Sequence, residues 1–157
     1  MDICRVYSGR SIGVGLSKNN MPIILYAVTG RSEASRLRKA TLLEHDDAVY
    51  GVHIGPLDKS DRDELRHYDA IIINQDRGSV VVSNGLHTGG IAEIYMTPKD
   101  KLGLGAMQYV LDKYEAEPDQ YRTPRIAGAF NWVHSHRATF GIINFRKPAK
   151  VWYETLE

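Results

Sequence analysis

The sequence predicts an α+β protein in which two packed sheets carry helices over one outer face. Three observations lead there. Short β-branched and aromatic runs, bounded by turn residues, dominate the 157 residues. Two pairs of these runs are joined by three-residue turns, which is hairpin spacing. The helical signals fall consecutively in the middle of the chain, and do not alternate with strands as βαβ units would.

The first hairpin pairs 10–17 with 21–30 across Lys18-Asn19-Asn20. Residues 46–55 give a third strand. The charged stretch 57–67 reads as a surface loop with a helical turn. A second hairpin joins 68–75 to 79–84 through Asp76-Arg77-Gly78. Residues 89–98 are weakly helical. The best helix spans 97–114, with Thr97 as N-cap, Pro98 at the first helical position and Asp100 three residues after the cap. Leu102, Ala106, Tyr109, Val110 and Lys113 lie near one stripe at helical spacing. Three further strands follow at 124–132, 137–145 and 150–156.

Composition narrows the function. A net charge of +1 argues against coating nucleic acid or a membrane surface. No run of 18 apolar residues marks a transmembrane helix. No secretory signal is visible at the N-terminus. A sole cysteine, Cys4, forbids an internal disulfide and suits a reducing cytoplasm. It is a small buried hydrophobe or, less commonly, a nucleophile. No repeat, linker or low-complexity tract divides the chain, so 1–157 reads as one domain. The glycines of "GRSIGVG" lie within a predicted strand pair and do not form a nucleotide loop.

Five polar constellations stand out. "SNGLHT" is an elbow between the 79–84 strand and a helix. Ser83, Asn84 and Thr88 offer oxygens that cap backbone N–H groups, and the same N–H groups can hold a phosphate with His87 beside it. "TGRSEASRLRK" sets Arg31, Arg36, Arg38 and Lys39 after a strand end, with Ser32 and Ser35 interleaved. It is a solvated basic loop or an anion site. Glu115 ends the best helix, where the dipole is negative and would raise a carboxyl pKa. Tyr68 leads an apolar strand, half core and half hydrogen bond. His134 and His136 form a pair at i, i+2 without further ligands nearby, so no metal site is expected.

In combination, "VYSGRSIGVG", "YAVTGRSEASR", "YDAIIIN", "VVVSNGLHT", "DKYE" and "RTPRIAGAFN" resemble the archaeal-type IMP cyclohydrolases, with "FGIINF" and "VWYET" as weaker matches. The resemblance implies a four-layer αββα sandwich of two mainly antiparallel sheets, similar to the Ntn hydrolases but without their N-terminal nucleophile. It implies closure of the ring of 5-formamidoimidazole-4-carboxamide ribotide to inosine monophosphate in purine biosynthesis, with no cofactor and no covalent nucleophile. It places Arg36, Tyr68 and Glu115 as catalytic residues. Arg31, Ser32, Asn84, Gly85, His87, Thr88 and Arg125 become substrate neighbours, Arg31 at the phosphate. The implied partner is a purine ribotide, with no nucleic acid and no membrane, in a cytoplasmic homo-oligomer.

Two departures matter. Asp69 stands where the family has Asn, adding negative charge if that position meets an anionic ligand. The chain also stops soon after "VWYET", so the sandwich is expected to be shortened at its C-terminus. These favour, as a second reading, a non-catalytic purine-nucleotide sensor or sponge on the same scaffold. A third is an Ntn-type amidohydrolase using Cys4 after removal of three residues.

Overall fold

The structure, a computed structural model, describes residues 9–30, 32–46, 48–58, 60–61, 63–96, 103–133 and 137–156. Strands β1 (Arg10–Leu16) and β2 (Pro22–Val28) form the first expected hairpin, in register from Arg10 opposite Val28 to Leu16 opposite Pro22. A short helix, α1 (Glu33–Arg36), follows, closed by a reciprocal capping box between Ser32 and Ser35. Next comes a strand absent from the sequence reading, β3 (Arg38–Asp46), paired with β4 (Val49–Pro56). The basic loop expected over 29–39 therefore contains α1 and the start of β3. β3 escapes notice because it is an edge strand with one neighbour. Its charged residues, Arg38, Lys39 and Glu44, suit an exposed edge and mask the apolar alternation.

The stretch 57–67 holds a single 3-10 turn at Glu64–Arg66. Strands β5 (Tyr68–Asn74) and β6 (Ser79–Ser83) make the second hairpin. Helices α2 (His87–Tyr95) and α3 (Gly103–Tyr114) come next, then β7 (Arg125–Asn131), β8 (Arg137–Ile143) and β9 (Lys150–Thr155). α2 begins two residues before its weak signal, so His87 and Thr88 belong to the helix and not to the elbow ahead of it. The Thr97, Pro98 and Asp100 start and Leu102 lie outside the described residues, as do Cys4, His134 and His136. The buried face of α3 is Ala106, Met107, Val110 and Leu111, whereas Tyr109 is 62% exposed and Lys113 is also exposed. The expected stripe was thus rotated toward solvent by one position.

β3 to β9 form one seven-stranded antiparallel sheet in chain order, and β1–β2 form a second, two-stranded sheet. Successive side chains alternate between the faces of the large sheet. Val81, Ala127 and Ala129 face Ile91, Met107 and Leu111 of the helices. Val80, Phe130 and Ala138 face Val14, Leu16 and Ile24 of the hairpin. Both faces of β6 are covered, so Val80, Val81 and Val82 are fully buried, each contributing roughly 1.5–3 kcal/mol relative to exposure. α3 crosses β8 closely at Gly141, where a Cβ would lie 2.5 Å from Leu111 Cδ1. The fold is α+β with two antiparallel sheets, and the helices cover the outer face of the larger one. On the opposite side of the molecule, Ile23 and Leu25 of the hairpin are 52% and 58% exposed.

Candidate active site

A cleft of about 490 Å³ opens where the end of the hairpin, α1, the 3-10 turn and the loop after α3 meet. Its chemistry is set by Arg10 at the start of β1 and Glu117 in the loop after α3. Arg10 Nη1 donates to Glu117 Oε1 at 2.6 Å, across 107 residues of sequence. The Glu117 side chain is only 4% exposed. Burial pushes its carboxyl above the ordinary range, against the pull of Arg10 and, more weakly, of Arg125. Burial disfavours the Arg10 charge, but the neighbouring Glu117 carboxylate outweighs it and holds the guanidinium above its ordinary value. The loop is fixed by Glu117 N–H donating to Thr123 O at 2.9 Å and by Asp119 accepting from Thr123.

Beside this pair, the hydroxyls of Tyr26 and Tyr68 lie 2.7 Å apart. Burial, and then the neighbouring Tyr68, raise the Tyr26 pKa far above its usual value. Tyr26 therefore keeps its proton, and can donate it to the Tyr68 oxygen. Arg10 acts electrostatically on both tyrosines, and Arg38 on Tyr26.

The elbow forms a buried layer beneath. Asn84 Oδ1 accepts from Ile126 N at 2.6 Å, and its Nδ2 donates to Pro124 O at 3.2 Å and reaches Glu117 Oε1 at 3.5 Å. His87 Nε2–H donates to Ile126 O at 3.2 Å, which leaves Nδ1 as the acceptor facing Arg125 Nη1 at 3.5 Å. Burial, then the Arg125 charge, push the His87 pKa down to about 3, so the ring is neutral at pH 7. The Ser83 and Thr88 hydroxyls bond each other, and Thr88 also donates to Gly85 O. Arg125 is itself buried, its Nε donating to Glu115 O at 3.0 Å.

Of the residues singled out from sequence, Ser32 lines the cleft. Arg36 lines an adjoining hollow and donates from Nε to Gly30 O at 3.0 Å. Tyr68 is 2% exposed and lies against Tyr26. Asn84, Gly85, His87, Thr88 and Arg125 are all buried in the layer below. Arg31 lies outside the described residues. Glu115 is 63% exposed, at φ 58°, and pairs with Lys147 at 2.6 Å. Its carboxyl is lowered, not raised as its place on the helix suggested, because the Lys147 ammonium overrides the dipole. Sequence reasoning missed Arg10, Tyr26 and Glu117. The signal for Glu117 was present: a second carboxylate inside a helix-to-strand loop, where sites are commonly built.

Asp69 turns to the face of the sheet opposite Tyr68. It accepts from His53 Nδ1 at 2.9 Å and lies 3.5 Å from His45 Nε2. Its charge is therefore directed away from the tyrosine pair. Among the described residues no cluster of three or more His, Cys, Asp or Glu is arranged to hold a metal ion. Among the described residues no helix is long and apolar enough to cross a membrane.

A sequence profile described as IMP cyclohydrolase-like protein matches residues 7–157. The chain belongs to the IMP cyclohydrolase-like family. It is 33% identical over 123 residues to a Methanocaldococcus jannaschii protein named IMP cyclohydrolase, covering 78% of this chain and 55% of that one. It is 30% identical over 151 residues to the Thermococcus kodakarensis IMP cyclohydrolase, covering 96% of this chain and 67% of its relative. Against the Methanococcus maripaludis C5 protein of the same name, identity is 32% over 125 residues, or 78% and 57% of the two chains. This member of the family thus spans little more than half the length of two of these relatives.

Proposed function

We propose that this chain is an IMP cyclohydrolase, which closes the ring of 5-formamidoimidazole-4-carboxamide ribotide in the cleft beside Arg10 and Glu117. The observation that carries this reading is a buried carboxylate with a raised pKa, paired with arginine and set beside a tyrosine pair, in a chain of this family.

The carboxamide nitrogen attacks the formyl carbon, forming the C–N bond and leaving negative charge on the formyl oxygen. One proton comes from the carboxamide nitrogen and one from the formamido nitrogen, and both leave with the formyl oxygen as water. Glu117 is suited to carry these protons, since a base poised above the usual carboxylate range both accepts and returns them. Arg10 stabilises the oxyanion. Tyr68, with Tyr26 donating to its oxygen, relays one of these two protons to the formyl oxygen and regains its own from Glu117. Arg36 borders the ribotide from the adjoining hollow, and Glu115 orients the loop that carries Glu117. Asn84, Gly85, His87, Thr88 and Arg125 support the site from below, Ser32 borders the substrate, and Arg31 is assigned to the phosphate by the family resemblance alone. The reacting groups belong to one molecule, so holding them in ring-closing geometry lowers the barrier further. No cofactor is part of the scheme.

The same proposal includes one domain over 1–157, a cytoplasmic setting and a homo-oligomer. It also reads the hairpin as part of the second sheet of a four-layer αββα sandwich. The half-exposed Ile23 and Leu25 support an outer layer there.

The test supplies the ribotide to purified protein without added metal or cofactor and follows inosine monophosphate by absorbance. Turnover above the uncatalysed rate, lost in Glu117→Gln, supports ring closure. Tight binding of inosine monophosphate without turnover would replace the enzyme with a nucleotide sensor.

A further inference from the structure

We propose that Arg38 binds the phosphate of the ribotide and so makes the cleft selective for a phosphomonoester over the free nucleoside. This rests on the reading of the cleft as the substrate site.

The argument begins with a mismatch between donors and acceptors. Three guanidiniums line the cleft, those of Arg10, Arg38 and Arg66, together with three carboxylates, those of Asp63, Glu117 and Asp119. Each carboxylate is engaged. Glu117 holds Arg10, Asp119 accepts from Thr123, and Asp63 accepts from Leu65 N–H at 3.0 Å and lies 3.4 Å from Arg66. The guanidiniums are not exhausted. Arg10 Nε and Arg66 Nε are buried without a hydrogen-bond partner. Among the described residues Arg38 has no acidic partner; its Nε donates to Ser35 O at 2.7 Å, and its remaining N–H groups are left for a ligand. A cleft with surplus donors and committed acceptors calls for an acceptor-rich anion. A guanidinium fork matches two phosphate oxygens at once.

Position selects Arg38 among the three. Arg10 is committed to Glu117, and Arg66 is compensated by Asp61 at 2.7 Å as well as by Asp63. Arg38 stands where the cleft runs into the hollow lined by Arg36, a hollow that Glu117 does not line. Glu117 stands at the other end, bordering the hollow of Glu115 and Lys147. A ribotide laid along the cleft thus meets the proton carrier at its base end and Arg38 at its phosphate end. Gly30 keeps this end tight: a Cβ there would lie 2.4 Å from the Ser35 carbonyl oxygen, close to the acceptor that orients Arg38.

The experiment measures binding of inosine monophosphate, inosine and ribose 5-phosphate by calorimetry, with ribotide turnover alongside, for the wild type, Arg38→Gln and Arg38→Lys. Arg38 is half-buried at the end of an edge strand, so both variants should fold. Expected is a loss of roughly ten- to a hundredfold in affinity for both phosphate ligands in Arg38→Gln, with inosine unchanged and the lysine variant intermediate. KM for the ribotide should rise by more than kcat falls. Unchanged phosphate affinity, or an equal loss for inosine, overturns the assignment. If the wild type turns over ribotide while Arg38→Gln binds phosphate normally, ring closure stands and the phosphate site falls. If the wild type shows Arg38-dependent binding of ribose 5-phosphate but no turnover, the phosphate site stands and ring closure falls.

Discussion

Glu115 and Glu117 are two residues apart and have opposite surroundings, so exchanging each for glutamine discriminates between them. Glu117 is 4% exposed with its charge against Arg10, and Glu115 is 63% exposed against Lys147. Loss of a proton carrier lowers kcat by about 10²- to 10⁴-fold. That range is expected for Glu117→Gln, while Glu115→Gln stays within about threefold of wild type, as loss of an exposed ion pair implies. Stability provides the control. The raised Glu117 pKa means that the fold, Arg10 included, favours the neutral acid over the carboxylate. A neutral isostere should therefore cost little, about 1 kcal/mol or less. Arg10→Gln instead strands a buried carboxylate and should cost about 3–5 kcal/mol. The sign follows for pH. The Glu117 contribution to stability is full below the unfolded carboxylate value and is lost as pH rises through the folded one. The acid limb of kcat/KM should lie above the ordinary carboxylate pKa and disappear in Glu117→Gln. Steady-state kinetics from pH 4 to 8, with urea melts of each variant, measure all of this. Wild-type kcat in Glu117→Gln, or a loss in Glu115→Gln equal to it, would refute the assignment.

Three further outcomes follow from the same geometry. His87, at about 3 folded against 6.5 unfolded, contributes stability that is present above 6.5 and lost as pH falls toward 3. Between pH 7 and 5 urea denaturation should show about 2 kcal/mol more loss in wild type than in His87→Gln, and parallel curves would contradict the buried neutral ring. Tyr26→Phe should lower kcat about five- to tenfold by removing the donor to Tyr68, with about 1 kcal/mol of stability lost; an unchanged kcat would disconnect Tyr26 from the chemistry. Gly141→Ala forces a methyl against Leu111 and Met107 and should cost about 1–3 kcal/mol in thermal or urea unfolding, with no loss if α3 can lift from β8.

The two hairpins were legible because turn residues and period-2 alternation are local signals. β3 was not, since its pattern is that of a charged edge and its existence depends on pairing with β4. The same limit governs the site. "SNGLHT" was recognisable as a polar elbow, but its direction was not. Its side chains bond the backbone of Ile126, some forty residues onward, and only the folded sheet brings that strand alongside. Glu115 drew attention through the helix dipole, which sequence displays. The opposing Lys147 and the Arg10 that meets Glu117 come from contacts 32 and 107 residues away, which sequence does not display. Whether Asp69 meets an anionic ligand is not readable from sequence; strand alternation sends it to His45 and His53 on the far face.

The charges around Glu117 explain why α2 opens on a histidine that stays neutral. Arg10 and Arg125 both act on the Glu117 carboxylate, so two guanidiniums already accompany one buried anion. A protonated His87 would add a third cation in a region almost without solvent, and both Arg125 and Arg10 oppose it. The ring therefore has to serve as a neutral linker, donating to Ile126 and accepting toward Arg125. That arrangement holds Arg125 where it also caps α3 through Glu115 O, and so fixes the start of the loop that presents Glu117. If acid forces a proton onto His87, the linker loses its acceptor, Arg125 loses that contact, and the loop is freed at its root. Acid destabilisation of the wild type then accompanies the loss of activity that protonation of Glu117 causes. His87→Gln, which keeps a donor and an acceptor but cannot be protonated in that range, should separate them: stability should hold further into acid, while activity should still fall as Glu117 takes up its proton.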